Sequence, residues 1–304
     1  MSSGKMHVVE VETDAILVGR LLAAQFPLWA NLPIEPVHSA GTENALYRLG
    51  EDLLVRLPCI RGSTGQVDKE HQWLPGLAPL LPFAIPVPLE KGAPGQGYPW
   101  HWSVYRWLEG SSATIEPIAD PRQAAVELAR FVAALQRIDP DRGPPPGQHN
   151  SFRGVPLATR DTATRTAIST LRGVLDIDAL TAAWDAALQA PAWHGSPVWI
   201  HGDLQSGNLL TLDGRLSAVI DFGCLGVGDP ACDLMIAWNL LSVETRDVFR
   251  AVLQVDDATW ARGRGWALSV GLIALAYYQT TNPILAGISQ YAINAVLAAH
   301  NQAT

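Results

Sequence analysis

The sequence predicts an α+β chain of two lobes, and three observations carry that prediction. With 304 residues the chain exceeds one minimal core and falls short of three ordinary domains. Its first third is built of short extended runs joined by turn residues. After Gly110 the apolar residues recur mostly at helical spacing, so the pattern changes near Glu109-Gly110. That point divides an N-terminal lobe of residues 1–108 from a C-terminal lobe of residues 109–304.

The elements follow in order. Ile16, Val18, Leu21, Leu22 and Phe26 predict a helix over about residues 13–26, with Thr13 as cap and Pro27 as stop. Ile34–Ala40, Ala45–Leu49 and Leu53–Leu57 are extended, and Gly50-Glu51-Asp52 makes the last two a hairpin. Val67, Glu70, Leu74 and Leu77 share one helical stripe, which ends near Pro79 and Pro82. Lys69, next to that stripe, is expected to point away from it. Residues 83–99 are rich in Pro and Gly and read as loop with short strands, and Ser103–Leu108 as a strand ended by Gly110.

In the second lobe Asp120-Pro121 is a helix start, an acidic cap followed by Pro at the first helical position. Leu128, Phe131, Val132 and Leu135 form its apolar face. The stretch DPDRGPPPG from Asp139 cannot continue it. Leu180, Ala183, Trp184, Ala187 and Leu188 make another helix, stopped by Pro191. Val198–Ile200, Leu209-Leu210 and Leu216–Ile220 are short strands, and only helices are expected from Asp229 onward.

Composition narrows the function classes. Hydrophobic residues are 48% and charged residues 16%, which supports a large core and excludes disorder as the main state. Lys plus Arg is 21 against 29 for Asp plus Glu, a net charge of −8, opposite to the balance of a nucleic-acid binder. The acidic excess suits a cationic substrate and ordinary solubility alike. Three cysteines without a CxxC give no disulfide framework. The apolar stretch Trp266–Tyr278 is shorter than the roughly 20 residues of a membrane helix. These features predict a cytoplasmic protein with neither nucleic acid nor membrane as partner; oligomeric state is left open.

Chemistry concentrates in one segment, HGDLQSGNLL from His201 to Leu210. Asp203 and Asn208 are five apart on a loop after an apolar strand, and Asp221, thirteen residues past Asn208, ends another in VIDFG. Transfer of a γ-phosphoryl group needs a carboxylate to orient and deprotonate the attacking hydroxyl, and oxygen ligands for Mg²⁺ on the phosphates. Asp203 suits the first role, and the Asn208 amide oxygen and the Asp221 carboxylate the second. A catalytic Asp, an Asn five residues on and a later Asp-Phe-Gly is the protein-kinase order. Alone, each Asp is commonly a cap or turn residue; their joint order and spacing give the functional reading its weight. A metal hydrolase built on His201, Asp203 and Asp221 would need further closely spaced histidines, and the remaining ones are scattered. A kinase-shaped module without activity is disfavoured because all three motif residues are present.

These blocks, with Gly228-Asp-Pro-Ala-Cys-Asp-Leu234, resemble the aminoglycoside phosphotransferase family of kinase-like small-molecule phosphotransferases. The likeness extends to GTENALYRL from Gly41, LVRLP from Leu54, KEHQWL from Lys69 and VYRWLEG from Val104, covering roughly residues 10–300. It implies a protein-kinase-like two-lobe fold, with a five-stranded antiparallel sheet in the first lobe, a hinge near residues 105–110 and a mainly helical second lobe. It also implies Asp203 as base, Asn208 and Asp221 as Mg²⁺ ligands, and ATP or GTP as phosphoryl donor. Thr42, in the turn at Gly41, would cover the phosphates. The backbone of Arg106 to Leu108 would meet the base, with Tyr105 behind it.

One position departs from the kinase pattern, which places a Lys on the third strand. Here that strand offers Arg56, and the next helix offers Glu70 as its partner. Arginine keeps the charge and can clamp phosphate or carboxylate with two bonds, but it is bulkier. Asp229 is expected as a cap, Asp233 as a brace of the catalytic loop, and His201 as a structural residue. The resemblance places the acceptor, a small hydroxylated molecule, against residues 140–190 and 257–300. Aminoglycosides, macrolides and other hydroxylated metabolites stay open: no acid follows Asp257, whereas Trp266, Tyr277, Tyr278 and Tyr291 do.

Overall fold

The computed structural model describes residues 11–302 apart from His38, Ala40 and Thr42. The chain forms two compact units. The first comprises residues 11–79, 84–109 and 218–223, and the second residues 80–83, 110–217 and 224–302, within the described chain.

The first unit carries a five-stranded antiparallel sheet of β1 (Ile34–Val37), β2 (Asn44–Leu49), β3 (Leu53–Pro58), β4 (Pro88–Gly92) and β5 (Trp102–Arg106). Its strand order is β1-β2-β3-β5-β4. The β2–β3 hairpin pairs Leu49 with Leu53 and Leu46 with Arg56, and Gly50 takes the left-handed conformation (φ 62°) that the tight turn needs. Helix α1 (Ala15–Gln25) buries Leu17, Val18, Leu21 and Leu22 against Val55, Trp102 and Val104. A fully buried aliphatic side chain contributes about 1.5–3 kcal/mol, so this cluster dominates the unit's stability. Its cap is Asp14, whose Oδ1 accepts from Leu17 N–H at 2.7 Å, and not Thr13, whose hydroxyl accepts from Tyr47 instead. Asp reaches the second and third N–H of a helix readily, and the chain uses the stronger capping residue.

Helix α2 (Thr64–Leu77) begins earlier than its apolar stripe suggested and tolerates Pro75 within its last turn. The first and fifth strands are shorter than expected: β1 stops at Val37, and β5 stops at Arg106, beyond which Trp107 N–H donates to Asp52 O at 2.7 Å.

The second unit is mainly helical. It contains α3 (Pro121–Arg137), α4 (Asp161–Thr170), α5 (Ile177–Leu188), α6 (Ile236–Asn239), α7 (Val243–Leu253), α8 (Asp257–Tyr278) and α9 (Pro283–Asn301). Asp120 caps α3 through Gln123 N–H, with Pro121 at the first position. Helix α8 packs on α9, α4 and α5, and its buried Trp266, Leu268 and Leu272 lie in the core. None of the helices is long and apolar enough to cross a membrane, among the described residues.

Short strands carry the loops that matter. β6 (Ser111–Ser112) pairs with β8 (Leu209–Leu212), which borders β9 (Arg215–Val219), and β7 (Val198–Ile200) pairs with β10 (Gly226–Gly228). Helix α4 and strands β6 and β10 had no clear sequence signal: α4 has Thr at four of its ten positions, and each of the two strands has at most three residues.

Space around two glycines yields a prediction. A Cβ on Gly92 would lie 2.0 Å from the Trp102 ring, whereas one on the exposed Gly76 of α2 meets nothing within 4 Å. Gly92→Ala should therefore destabilise by about 1–3 kcal/mol. Gly76→Ala should stabilise by about 0.5–1 kcal/mol. Urea unfolding of the two variants checks both signs.

Candidate functional site

In the first unit a polar network is built around Arg56, which lies on β3 and is nearly buried. Its Nη1 donates to Glu70 Oε1 at 2.7 Å, and its Nη2 donates to Gln66 Oε1 at 2.8 Å. Asn44, with its amide oxygen turned to the guanidinium, accepts from Nη2 at 2.9 Å. Asp221 Oδ1 lies 3.6 Å from Nη2. The second oxygen of Glu70 accepts the Tyr105 hydroxyl. Burial alone would lower the Arg56 pKa; Glu70, Tyr105 and Asp221 outweigh it and raise it. Burial, and then the Glu70 charge, pushes the Tyr105 phenol up. The guanidinium therefore stays charged and the phenol stays a donor.

Lys69 does not point away from this face. It is buried, and its Nζ donates to Gly223 O at 2.6 Å, within the Asp-Phe-Gly turn. Residues 69 and 70, neighbours in the middle of α2, are both buried, which the apolar stripe of the helix does not suggest. Asp221 itself has φ 63°, a left-handed conformation uncommon outside Gly, Asn and Asp. Its carboxylate is about half exposed, and its Oδ1 accepts Gly223 N–H at 3.3 Å. Arg106 is exposed, whereas Leu108 is only partly so. Thr42 lies outside the described residues. Of the three tryptophans near β5, Trp102 is core, Trp100 packs on the core, and Trp107 stacks under Arg48.

The second unit holds the catalytic-loop segment, and one buried carboxylate sets it. Asp233 accepts His201 N–H and Gly202 N–H, each at 2.7 Å, through its two oxygens. Burial pushes its carboxyl up, and the His201 ring and these donors oppose that. Gly202 is left-handed (φ 84°), and a Cβ there would lie 2.5 Å from Cys224 O, so only glycine fits. His201 is fully buried, and its Nδ1 accepts Asp203 N–H at 3.2 Å.

Asn208 Nδ2 donates to Asp203 O at 2.8 Å and to Asp203 Oδ2 at 3.0 Å. Both amide hydrogens are thus committed to Asp203, which turns the Asn208 oxygen away as an acceptor. Gln205 adds a bond to the same Oδ2 at 3.2 Å. Asp229 caps the following turn through Ala231 N–H and pairs with Arg262 Nε at 2.8 Å, both side chains almost fully buried. Arg153 was not anticipated from sequence. It is nearly buried, with Nη2 3.5 Å from Asp203 Oδ1. Nothing in FRGVP marks it apart from the other arginines of its segment. No group of three or more His, Cys, Asp or Glu forms a metal cluster among the described residues.

A sequence model described as phosphotransferase enzyme family matches residues 35–266. The chain belongs to that family. Among solved structures, it resembles a GDP complex of wild-type aminoglycoside 2'-phosphotransferase-IIIa, with TM-score 0.73 and 18% identity over 95% of this chain and 100% of that one. It also resembles macrolide 2'-phosphotransferase MphH from Brachybacterium faecium, with TM-score 0.59 and 22% identity over 91% of this chain and 98% of that one. At such identities the likeness shows the fold, which is the kinase-like α+β fold expected from the sequence. No match is found among curated protein sequences.

The first unit's network makes a stability prediction. Glu70→Ala leaves the Arg56 charge buried without its main partner and should cost about 3–5 kcal/mol. Tyr105→Phe removes one donor from a carboxylate that keeps its guanidinium, and should cost about 1–3 kcal/mol. Denaturant unfolding followed by fluorescence gives the ranking, and equal losses would contradict the network.

Proposed function

We propose that this phosphotransferase moves the γ-phosphoryl group of a nucleoside triphosphate, ATP or GTP, to a hydroxyl of a small molecule. The observation that carries the reading is the Asp203–Asn208 arrangement: a catalytic-loop carboxylate fixed by an amide whose oxygen is left for a cation. Solved relatives with GDP bound, one of them with kanamycin as well, support nucleotide use and a hydroxylated acceptor.

In this reading Asp203 orients the acceptor hydroxyl and accepts its proton late, because phosphoryl transfer passes through a loose transition state. Asn208 and Asp221 supply oxygen ligands to Mg²⁺, a hard cation that favours such donors. The ion neutralises phosphate charge when bound. Arg56, held by Glu70, takes the phosphate-binding place of the usual lysine, and Tyr105 fixes the free oxygen of Glu70. Thr42 covers the phosphates. The backbone from Arg106 to Leu108 is the edge offered to the base, apart from Trp107 N–H, which donates to Asp52 O. Residues 1–108 serve the nucleotide, and residues 109–304 carry the catalytic residues and the acceptor.

Several acids on the proposed acceptor segments already have partners. Asp161 and Asp185 both bind Arg165, at 2.8 and 2.6 Å, and Asp176 caps α5. Asp178 stays exposed on the same helix, so aminoglycosides, macrolides and other hydroxylated metabolites remain the acceptor classes.

Three outcomes test the assignment. Asp203→Asn keeps the shape but loses the charge, and should lower kcat about 10²- to 10⁴-fold with nucleotide affinity unchanged. Asp221→Ala should abolish turnover and weaken MgATP far more than metal-free ATP, in titration calorimetry with and without EDTA. Arg56→Lys should keep measurable activity, whereas Arg56→Ala should raise the nucleotide KM strongly. Near wild-type turnover by Asp203→Asn would refute the role of the loop.

A further inference from the structure

The Asp221 side chain is only loosely tied. Its carboxylate is about half exposed, and its polar contacts are long: Gly223 N–H at 3.3 Å and Arg56 Nη2 at 3.6 Å. The backbone that carries it, by contrast, is held on both sides. Two residues before it, Val219 N–H donates to Ala84 O at 3.0 Å. Two residues after it, Gly223 O accepts from Lys69 Nζ at 2.6 Å. Between these bonds Phe222 is fully buried and Asp221 keeps its φ of 63°. A left-handed residue other than glycine persists only where its surroundings over-determine it.

Lys69 supplies the second of those constraints. It lies in the middle of α2, is buried, and reaches a carbonyl 154 positions later in the chain. The helix touches the turn at the same place, since a Cβ on Gly223 would lie 2.8 Å from Gln66 Nε2. Residues 66, 69 and 70 stand at i, i+3 and i+4, so they share one face of α2. From that face Gln66 and Glu70 hold Arg56, at 2.8 and 2.7 Å, and Lys69 holds the Asp-Phe-Gly turn.

One helix face thus fixes both a guanidinium and the backbone of a carboxylate. We propose that Lys69 is a positioning residue for Asp221: its bond to Gly223 O keeps the Mg²⁺ ligand in register with the phosphate-binding Arg56. The inference rests on the reading of Asp221 as a metal ligand and of Arg56 as a phosphate ligand. A shift of α2 as a whole would loosen both groups. Loss of the Lys69 donor alone would loosen only Asp221, because Gln66 and Glu70 still hold Arg56.

That difference is measurable. Lys69→Met keeps the length and the apolar stem of the side chain and removes the donor, whereas Lys69→Arg keeps a donor. The full chain of each is titrated by calorimetry with a non-hydrolysable ATP analogue, in Mg²⁺ and in EDTA. Lys69→Met should bind the magnesium complex about 5- to 100-fold more weakly, as for one buried acceptor left unpaired, and the metal-free analogue within about twofold of wild type. Lys69→Arg should recover most of the loss. Hydrogen exchange without nucleotide or metal should be faster at residues 221–223 in Lys69→Met and unchanged in the β2–β3 hairpin.

Equal losses in Mg²⁺ and in EDTA would reduce Lys69 to a packing residue and overturn the proposal. So would wild-type binding and exchange in a folded Lys69→Met chain, or a folded Lys69→Arg chain that binds as poorly as Lys69→Met. Should Lys69→Met not fold, Lys69→Gln, one bond shorter with a polar end, goes through the same titrations. A wild-type chain with equal affinity in Mg²⁺ and in EDTA would refute the metal-ligand reading of Asp221 separately. Exchange at residues 221–223 would then still decide whether Lys69 holds the turn.

Discussion

A buried carboxylate sets the geometry of the catalytic loop. Asp233 accepts two consecutive backbone N–H groups, of His201 and Gly202, at 2.7 Å each. Bonds to an ionised acceptor are roughly twice as strong as neutral ones and constrain direction as well as distance. They hold the left-handed turn at Gly202, which no side chain would permit, and that turn delivers Asp203. His201 then fixes the Asp203 amide from its ring, and Asn208 fixes the carbonyl and carboxylate. The loop is thus over-determined from several directions, which suits the role proposed for Asp203, since a displacement of about 1 Å costs rate.

The first unit solves a related problem with a different residue. A lysine would offer one point charge to its partner; Arg56 offers a planar fork and uses several of its donors at once, on Glu70, Gln66 and Asn44. Glu70 in turn divides its oxygens between Arg56 and the Tyr105 hydroxyl. Charge burial is costly unless every partner is present, so the substitution of Arg at this strand position comes with a shell of acceptors around it.

Much of this was legible in the sequence because it is local. The HGDLQSGNLL and VIDFG blocks show their order and spacing within short segments, and the β2–β3 hairpin is written in alternation and a glycine turn. Asp120-Pro121 announces α3 in the same way. What sequence did not reveal depends on long-range packing. Lys69 and Arg153 look like ordinary surface charges until the chain folds, one reaching a carbonyl 154 positions away and the other a carboxylate 50 positions away. Strand β10 and helix α4 lack length or periodicity, and tertiary pairing creates them. The Thr13 cap failed for a local reason, since Asp14, one residue on, is the stronger cap.

The assignment of residues 218–223 to the first unit has a consequence for how the chain is made. The sheet strands and α2 are complete by residue 109, but the segment that receives the Lys69 ammonium at Gly223 and faces Arg56 with Asp221 comes more than a hundred residues later. At ribosomal rates of about 5–20 residues per second, the first unit waits several seconds for the Gly223 carbonyl that Lys69 meets in the finished fold. During vectorial synthesis this unit can be completed only after residues 218–223 have emerged. An amino-terminal fragment cut at the boundary between the units would be missing part of its own interior.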